Sequence, residues 1–372
     1  MSSYRFYSGL ENYTPPPWAS RLKGVPSCKV MLAQLNTPIH KWNLPGVPEG
    51  FEIFIKRDDM TGSALSGNKV RKLEFLLADA MQKGCKHIIT CGGIQSNHCR
   101  ATAVAARQLG MKCHLVLRGD VKSKDVIDYS GNLFLSKMVG ADLYFAPRIA
   151  PYETELKPRM EAIAANIEKK TGEKVYHICV GGSDPVGLFG YLNAFYELEN
   201  QEVLDNFDDI VFACGSGGTA EGLAIGNLLT GSELKIHGIA VSDSTAYFLN
   251  HIDKHLPLVG LYEHKAEDMI DIVEGYKGKG YGISTQEELD YIMDVSKTTG
   301  IMIDPVYTGK AVLGLVKELT NNPDRFKGKR ILYIHTGGIF GMYDGRLNST
   351  VACDKTSETH LWPELDKVPW NR

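Results

Sequence analysis

Residues Asp209–Gly218 read DIVFACGSGG, a short apolar run that ends in a glycine-rich turn. Three other runs have the same form: His87–Gly93, Val175–Gly182 and Arg330–Gly338 read HIITCGG, VYHICVGG and RILYIHTGG. Each is nearly continuous in apolar residues and is followed by helical periodicity, which is typical of a buried parallel strand. Open parallel sheets bind ligands beyond the carboxyl ends of their strands. The four turns therefore predict a doubly wound α/β protein with a backbone-rich ligand site.

The remaining periodicity adds elements to this framework. Further strands are predicted at 51–56, 112–117, 142–145 and 235–241. Helices are predicted at 69–81, 97–109, 131–139, 151–170, 187–199, 220–229, 286–299 and 309–320. The proline-rich first 50 residues predict an arm with few regular elements, and residues 350–372 predict a surface arm.

Length and composition narrow the class of protein. A chain of 372 residues corresponds to about two or three domains, and 43% hydrophobic residues is ordinary for a globular protein. The net charge of −3 gives no general attraction to nucleic acid or to an anionic membrane. No apolar run is long enough to span a bilayer. We therefore expect neither nucleic acid nor a membrane as partner.

The cysteines and the N-terminus indicate a compartment. The eight cysteines form no CxxC pair, so they predict reduced, mostly buried thiols and neither a disulfide frame nor a zinc site. Residues 1–18 show neither a signal-peptide pattern nor an Arg-rich transit pattern. We expect a cytoplasmic protein without a metal ion.

Residues Ser66–Glu74 read SGNKVRKLE and lie between a predicted strand and a predicted helix. Asn68 can cap that helix through its side-chain oxygen. Lys69 then falls at the positive end of the helix dipole, which disfavours an ammonium and lowers a lysine pKa. Such a lysine suits Schiff-base chemistry. By position alone, the simpler interpretation is favoured: three solvated cations at a helix start.

The turn Gly215–Ala220 lies between a predicted strand and a predicted helix. Its backbone N–H groups and the helix N-terminus would form a phosphate cradle. The spacing also fits the loose pattern G-x-G-x-x-A, and Asp243 follows a second strand, so a nicotinamide-dependent oxidoreductase is an alternative. A purely structural strand-to-helix turn is the other alternative.

Polar residues near three other predicted strand ends are further candidates for ligand binding or catalysis. Residues Gly92–His98 would offer an anion such as a substrate carboxylate both side-chain donors and free backbone N–H groups. An ordinary helix capped by Ser96 or Asn97 would look the same. Tyr307 could donate or accept a proton or be an interfacial ring, and Thr336 ends a strand on the ligand side.

Taken together, these motifs resemble a known family. SGNKVRK at 66–72, QSNH at 95–98, DPVY at 304–307 and HTGG at 335–338 occur in this order. The set is similar to the pyridoxal-phosphate (PLP) family that contains D-cysteine desulfhydrase and 1-aminocyclopropane-1-carboxylate (ACC) deaminase, over roughly residues 13–343. The resemblance implies the tryptophan-synthase-β type of fold, PLP fold type II, and a homodimer. It implies two open-sheet α/β domains of three αβα layers: residues 1–71 plus 186–372 form a large cofactor-binding domain, and the inserted residues 72–185 form a smaller one.

The motifs also separate branches of this group. Serine racemases and threonine dehydratases usually carry a Ser-x-Lys type lysine motif, whereas this chain has Asn68-Lys69. ACC deaminase usually has Glu after the tyrosine of DPVY and Leu after the late histidine. This chain has Thr308 and Thr336 at these places, which resembles the D-cysteine desulfhydrase branch.

The resemblance also assigns residues to roles. Those that bind the cofactor are Lys69 as Schiff-base lysine, Lys72 at the phosphate, Asn97 at the phenolic oxygen, Thr308 and Thr336 at the pyridine nitrogen, and Gly215, Ser216, Gly217, Gly218 and Thr219 as phosphate loop. Those that hold the substrate carboxylate are Gln95, Ser96, Asn97 and His98. The expected catalytic residues are Lys69, Ser96, Tyr281 and Tyr307.

The expected function is β-elimination of D-cysteine, a small amino acid, to pyruvate, sulfide and ammonia. A hydroxyl at the pyridine nitrogen fits this reaction, because thiolate is a good leaving group and needs a weaker electron sink than ring opening does. ACC deamination is the alternative within the family. A nicotinamide-dependent oxidoreductase and a catalytically silent binding protein are more distant alternatives.

Overall fold

Two parallel sheets form the framework of the protein in a computed structural model, which describes residues 9–357 and 359–360. The strands are β1 Leu10–Asn12, β2 Cys28–Val30, β3 Ile39–Lys41, β4 Glu52–Lys56, β5 His87–Gly93, β6 Lys112–Arg118, β7 Asp142–Ala146, β8 Val175–His177, β9 Asp209–Cys214, β10 Lys235–Ala240, β11 Asp271–Val273 and β12 Arg330–Ile334. The helices are α1 Lys69–Gln82, α2 Asn97–Gln108, α3 Gly131–Met138, α4 Lys157–Thr171, α5 Leu188–Asn200, α6 Val203–Asn206, α7 Gly218–Thr230, α8 Thr245–His255, α9 Gln286–Thr299, α10 Thr308–Asn321 and α11 Asn348–Cys353.

The larger sheet has six strands in the order β11-β10-β9-β12-β4-β3, and β3 is its one antiparallel strand. Side chains of the central strand β9 alternate between the two faces. Ile210 and Phe212 belong to a core with α5 and α7, and Val211 and Ala213 belong to a core with α9 and α10. Burial on both faces explains why this strand is almost continuously apolar.

The smaller sheet has four parallel strands in the order β7-β6-β5-β8. Ile88 and Leu115 belong to a core with α1 and α2, whereas Ile89 and Val116 belong to a core with α4. Each sheet is therefore the middle of three layers, and the predicted α/β fold class is confirmed.

Several boundaries differ from the predicted ones. Strand β8 ends at His177 because the chain then leaves the sheet, and Gly181 and Gly182 turn at φ of 70° and 60°. The helix predicted at 151–170 begins with one π turn, and α4 starts only at Lys157. Helix α8 and strand β11 were not predicted.

The division into two domains stays a proposal. All four strands of the smaller sheet lie between residues 72 and 185, as proposed. However, Cys28, Val30, Leu32 and Leu65 belong to the core of α1 and α2, although the proposed boundary assigns them to the larger domain.

Two further sequence predictions concern the ends of the chain and membranes. Within residues 9–50 the structure has short strands and no α-helix, as the predicted arm requires, whereas most of 350–372 lies outside the described residues. Among the residues described, no helix combines the length and apolar character that crossing a bilayer requires.

Candidate functional site

A cleft opens where the carboxyl ends of strands from both sheets meet. Its walls come from the segments that follow β4, β5, β8, β9, β10, β11 and β12, from the residue before α10, and from the end of β6. The lining residues are Asn68, Lys69, Gly92, Gly93, Ser96, Asn97, His98, Arg118, Val180, Gly181, Ala213, Gly215, Ser216, Ser242, Tyr281, Tyr307 and Thr336. The turns at the strand ends therefore converge at one site, as expected for parallel sheets, which bind ligands beyond the carboxyl ends of their strands.

Lys69 begins α1 and extends its ammonium group into the cleft. Its Nζ lies 3.2 Å from Ser216 Oγ and 3.4 Å from the Gly181 carbonyl. Burial lowers the pKa of Lys69 well below its ordinary value, and the nearby Lys72 lowers it further. The predicted direction is confirmed, but burial is its main cause. The lowered pKa makes the neutral amine form of Lys69 more accessible.

The predicted cap at Asn68 is wrong. Asn68 has helical angles, with φ of −56° and ψ of −23°, and its side chain accepts no bond from the helix start. Its Nδ2 instead donates to Thr219 Oγ1 at 3.0 Å, and its backbone N donates to the Thr336 carbonyl at 3.1 Å. Asn68 thus ties the lysine segment to the turns after β9 and β12.

The turn Gly215–Thr219 joins β9 to α7 and has the form of an anion cradle. Gly217 has φ of 89°, a conformation that favours glycine, and α7 begins at the next residue. Lys72 Nζ lies 3.3 Å from both Ser183 Oγ and the Gly181 carbonyl. A Cβ built on Gly218 would lie 2.6 Å from Lys72 Nζ. Free N–H groups of a helix start, a buried ammonium and space kept open by glycine suit a phosphate group.

The start of α2 forms another wall of the cleft. Ser96 caps this helix, since its Oγ accepts from Cys99 N at 3.2 Å. The backbone N–H groups of Asn97 and His98 are in the first turn, where the helix provides no acceptor. Asn97 Oδ1 accepts from Asn132 Nδ2 at 2.9 Å, so the Asn97 amide keeps its own N–H groups as donors.

His98 is buried and neutral. Burial lowers its pKa well below the ordinary value. Its Nε2 lies 2.8 Å from Thr90 Oγ1, and Thr90 Oγ1 donates its proton to the Ile178 carbonyl at 2.9 Å. His98 must then carry its proton on Nε2 and donate it to Thr90. Its side chain therefore brings no positive charge to a substrate carboxylate, and its predicted contact with that group would come from its backbone N–H.

Six predicted site residues are not among those that line the cleft. Lys72, Gly217, Gly218 and Thr219 belong to the phosphate cradle described above, and the other two are Gln95 and Thr308. The Gln95 amide donates to the Ser130 carbonyl at 3.1 Å and accepts from Asn132 N at 2.9 Å, so both of its ends are occupied by the start of α3. Thr308 is fully buried, and its hydroxyl donates to Asp304 Oδ1 at 2.7 Å while accepting from Asp304 N at 2.7 Å. Both side chains are bonded elsewhere in this structure, and their predicted contacts with substrate and cofactor stay predictions.

Tyr281 and Tyr307 form a hydroxyl pair at the cleft. Their hydroxyl oxygens are 2.5 Å apart, and their rings meet edge to face. Burial raises the pKa of both phenols. One hydroxyl must donate to the other, which leaves the pair with one proton to offer to a ligand.

Three polar side chains at or beside the cleft were not predicted from the sequence. Ser183 follows β8, Ser242 follows β10, and Arg118 ends β6. Ser242 Oγ donates to the Gly215 carbonyl at 2.7 Å and so holds the turn Gly215–Thr219 in place. Each lies at or after the carboxyl end of a predicted parallel strand, and that rule could have found them.

Comparison with known proteins identifies the family to which the chain belongs. A profile of the family "Pyridoxal-phosphate dependent enzyme" matches residues 30–337. A protein of Arabidopsis thaliana named bifunctional D-cysteine desulfhydrase/1-aminocyclopropane-1-carboxylate deaminase, mitochondrial, is 45% identical over 341 residues, or 89% of this chain and 83% of its own.

Solved structures give the same result. One described as an ACC deaminase homologue superposes with a TM-score of 0.77 at 38% identity, covering 90% of this chain and 99% of its own. An O-ureido-L-serine synthase superposes with a TM-score of 0.61 at 17% identity, covering 87% and 95%, and shares the fold. The cofactor is therefore pyridoxal phosphate and not a nicotinamide, and the chain belongs to the family of pyridoxal-phosphate dependent enzymes.

Proposed function

We propose that this protein catalyses the β-elimination of D-cysteine. One water is consumed, and pyruvate, hydrogen sulfide and ammonia are released. The observation that carries this proposal is the make-up of the cleft. A lysine with a lowered pKa lies among hydroxyl and amide groups, and no aspartate or glutamate occurs among the described residues that line it.

The residues present fit pyridoxal phosphate. The turn Gly215–Thr219, together with Lys72, would hold the phosphate group, and Lys69 would hold the cofactor covalently. Thr336 lines the cleft after β12 and is the hydroxyl candidate for the ring nitrogen. When bound, the cofactor delocalises negative charge that develops at the substrate Cα.

The chain supplies binding and proton transfer. The first-turn N–H groups of α2 and the Ser96 hydroxyl would bind the substrate carboxylate. Lys69 would take the Cα proton, because its lowered pKa makes the neutral amine available. The pair Tyr281–Tyr307 would give a proton to the leaving sulfur.

The absence of a carboxylate from this lining bears on the choice of substrate. A carboxylate at the ring nitrogen favours a protonated ring and hence the strongest electron sink. A hydroxyl such as that of Thr336 gives a weaker sink. Loss of thiolate, a good leaving group, tolerates a weaker sink better than the opening of an unactivated cyclopropane ring.

ACC deamination is the second candidate. It would convert ACC and one water to 2-oxobutanoate and ammonia. The name of the Arabidopsis relative combines both activities, and a solved structure similar to this one is described as an ACC deaminase homologue. These relatives make ACC the first competitor to examine.

The test compares D-cysteine, L-cysteine and ACC with purified protein loaded with cofactor. Sulfide, pyruvate and 2-oxobutanoate are measured. We expect sulfide and pyruvate from D-cysteine at a kcat/KM well above that for either other substrate. Efficient release of 2-oxobutanoate from ACC with no sulfide from D-cysteine would reverse the choice.

Assembly and compartment are also proposals. We propose a cytosolic homodimer, on the sequence pattern and the family resemblance respectively. The name of the Arabidopsis relative includes "mitochondrial", so that relative works in another compartment. Light scattering on a sizing column and cell fractionation test the two proposals separately.

A further inference from the structure

Helix α8 carries two histidines that face a buried carboxylate of α7. His251 and His255 are one turn apart on α8 and therefore lie on the same side of it. Glu221 lies in the first turn of α7, just after the turn Gly215–Thr219. One ligand atom from each of these three side chains lies within 4.8 Å of the other two.

The distances among these three side chains are compatible with a shared metal ion. His255 Nδ1 lies 3.1 Å from both carboxylate oxygens of Glu221, and His251 Nε2 lies 3.7 Å from Oε2. In a tetrahedral zinc site with bonds of about 2.0–2.2 Å, neighbouring ligand atoms are about 3.4 Å apart. The two distances to Oε2 lie on either side of this value.

A second observation is the state of His251. Its Nε2 is buried and has no hydrogen-bond partner within the described part of the chain. A pair of Glu221 and His255 alone would not explain why a second imidazole directs a free nitrogen at the same carboxylate. A metal ion would satisfy this nitrogen.

We propose that Glu221, His251 and His255 bind one Zn²⁺ ion. Two imidazoles and one carboxylate are the ligand set of open zinc sites and disfavour Ca²⁺ and Mg²⁺, which prefer oxygen. The glutamate side chain is fully buried, whereas the histidine side chains are 18% and 15% exposed, so water can supply the fourth ligand.

The proposed zinc site would stabilise the turn Gly215–Thr219. A Cβ built on Gly217 would lie 2.6 Å from His251 Cδ2, so the imidazole ring packs directly on the backbone of this turn. A metal ion joining α7 to α8 would hold the ring in this place. The proposed zinc site does not depend on the substrate proposed above.

The spacing of the cysteines predicts no metal site, and the sequence pattern that indicates one is instead HxxxH at residues 251–255.

The test measures zinc binding by the holoenzyme. Zinc content is determined by mass spectrometry after dialysis against Zn²⁺, and the Kd is determined by competition with a chromophoric chelator. His251→Ala is the main variant, because it leaves the bond between Glu221 and His255 intact, and His255→Ala is the second. His264→Ala, at an exposed histidine outside the cluster, is the matched control.

We expect one zinc per chain in the wild type and in the control, with an at least tenfold weaker Kd in the folded His251→Ala variant. Zinc should also raise the unfolding temperature of the wild type and not that of His251→Ala. The eight cysteines are the same in every variant, so any difference in zinc binding is due to the cluster. Equal zinc content and Kd in wild type, His251→Ala and control would overturn the proposal. Circular dichroism verifies folding, and should His255→Ala fail to fold, His251→Ala decides alone.

Discussion

Burial determines the chemistry of the two cleft lysines. Lys69 and Lys72 both approach the Gly181 carbonyl, and burial lowers the pKa of each, that of Lys72 to about 8. The two shifts serve different ends. Lys69 can react because it loses its proton easily, whereas Lys72 can bind a phosphate only while it keeps its proton.

The lowered pKa of Lys72 predicts how cofactor affinity depends on pH. A bound phosphate would raise this pKa, so the contribution of Lys72 to affinity is complete below about pH 8 and is lost as pH rises above it. Lys69→Ala removes the covalent bond, so its Kd for PLP isolates this effect. Measured by dialysis from pH 7 to 10, Kd should be flat to about pH 8 and then rise by up to about tenfold per pH unit. The double variant with Lys72→Met should bind more weakly, without this rise, and equal slopes in both would contradict the assignment.

The tyrosine pair makes a second prediction at this scale. Tyr307→Phe removes one hydroxyl of the 2.5 Å pair and the proton route proposed for the leaving group. We expect kcat for sulfide release to fall by about 10²–10⁴-fold, the usual contribution of a general acid, while the visible absorbance of the bound cofactor persists. Tyr262→Phe, at an exposed tyrosine, should leave kcat unchanged. Wild-type kcat in Tyr307→Phe would remove the pair from the mechanism.

At the scale of elements, a buried ionic network anchors α1. Arg71 donates to both oxygens of Asp58 at 2.7 and 2.9 Å and to Glu197 at 2.9 Å, and Lys56 also pairs with Glu197. These four side chains join β4, the segment after it, α1 and α5, and their charges cancel. The network fixes the start of the helix that carries Lys69.

Breaking this network should cost stability. Arg71→Leu leaves two buried carboxylates with one cation, so we expect the free energy of unfolding to fall by about 3–5 kcal/mol. Arg159→Leu is the control, because Arg159 pairs with Glu155 on an exposed helix face and should contribute below about 0.5 kcal/mol. Urea denaturation of both variants measures the difference. Similar losses in the two would show that the buried network contributes no more than a surface pair.

The turn before α7 can be tested against a second glycine of similar conformation. Gly217 and Gly231 have φ of 89° and 68°, so alanine strains the backbone at both places. A Cβ at Gly217 also meets the ring of His251, whereas a Cβ at Gly231 meets nothing within 4 Å. We expect Gly217→Ala to weaken PLP binding at least tenfold and Gly231→Ala to leave the Kd unchanged. Equal Kd values, measured by fluorescence titration, would mean that the turn tolerates a side chain.

The sequence predicted elements best where burial is symmetrical. Strand β9 and its parallel neighbours are apolar on both faces, so their sequence alone reveals them. Helix α8 was missed because it buries only Phe248 and Ile252, a stripe too narrow to stand out from a polar loop. Its histidines were missed with it.

Side-chain partners were the least predictable part of the site. The sequence predicted a helix cap for Asn68 and ligand contacts for Gln95 and Thr308, but not the groups to which these side chains bond. Asn68 bonds to Thr219, 151 residues away, and Gln95 bonds to the start of α3. Such partners depend on tertiary packing, which local periodicity does not contain.

At the scale of the whole molecule, the cleft belongs to both sheets. The smaller sheet contributes the segments after β5 and β8, and the larger sheet contributes those after β4, β9, β10 and β12. The first turn of α2 follows a strand of the smaller sheet, whereas the turn Gly215–Thr219 follows a strand of the larger sheet. A bound cofactor would therefore contact parts of the chain that fold around different cores.

This arrangement predicts the pattern of hydrogen exchange on cofactor binding. A ligand that contacts both sheets opposes every local opening that disrupts its site, so amides on both sides should be protected together. We expect slower exchange in the holoenzyme than in the cofactor-free protein at 92–98, 180–183 and 215–221. Helix α9, which packs on the face of the larger sheet opposite α5 and α7, should exchange equally in both forms and is the internal control. Peptide-resolved mass spectrometry measures this. Protection confined to 215–221 would show that the smaller sheet does not take part in binding, and the α2 start would then lose its proposed role.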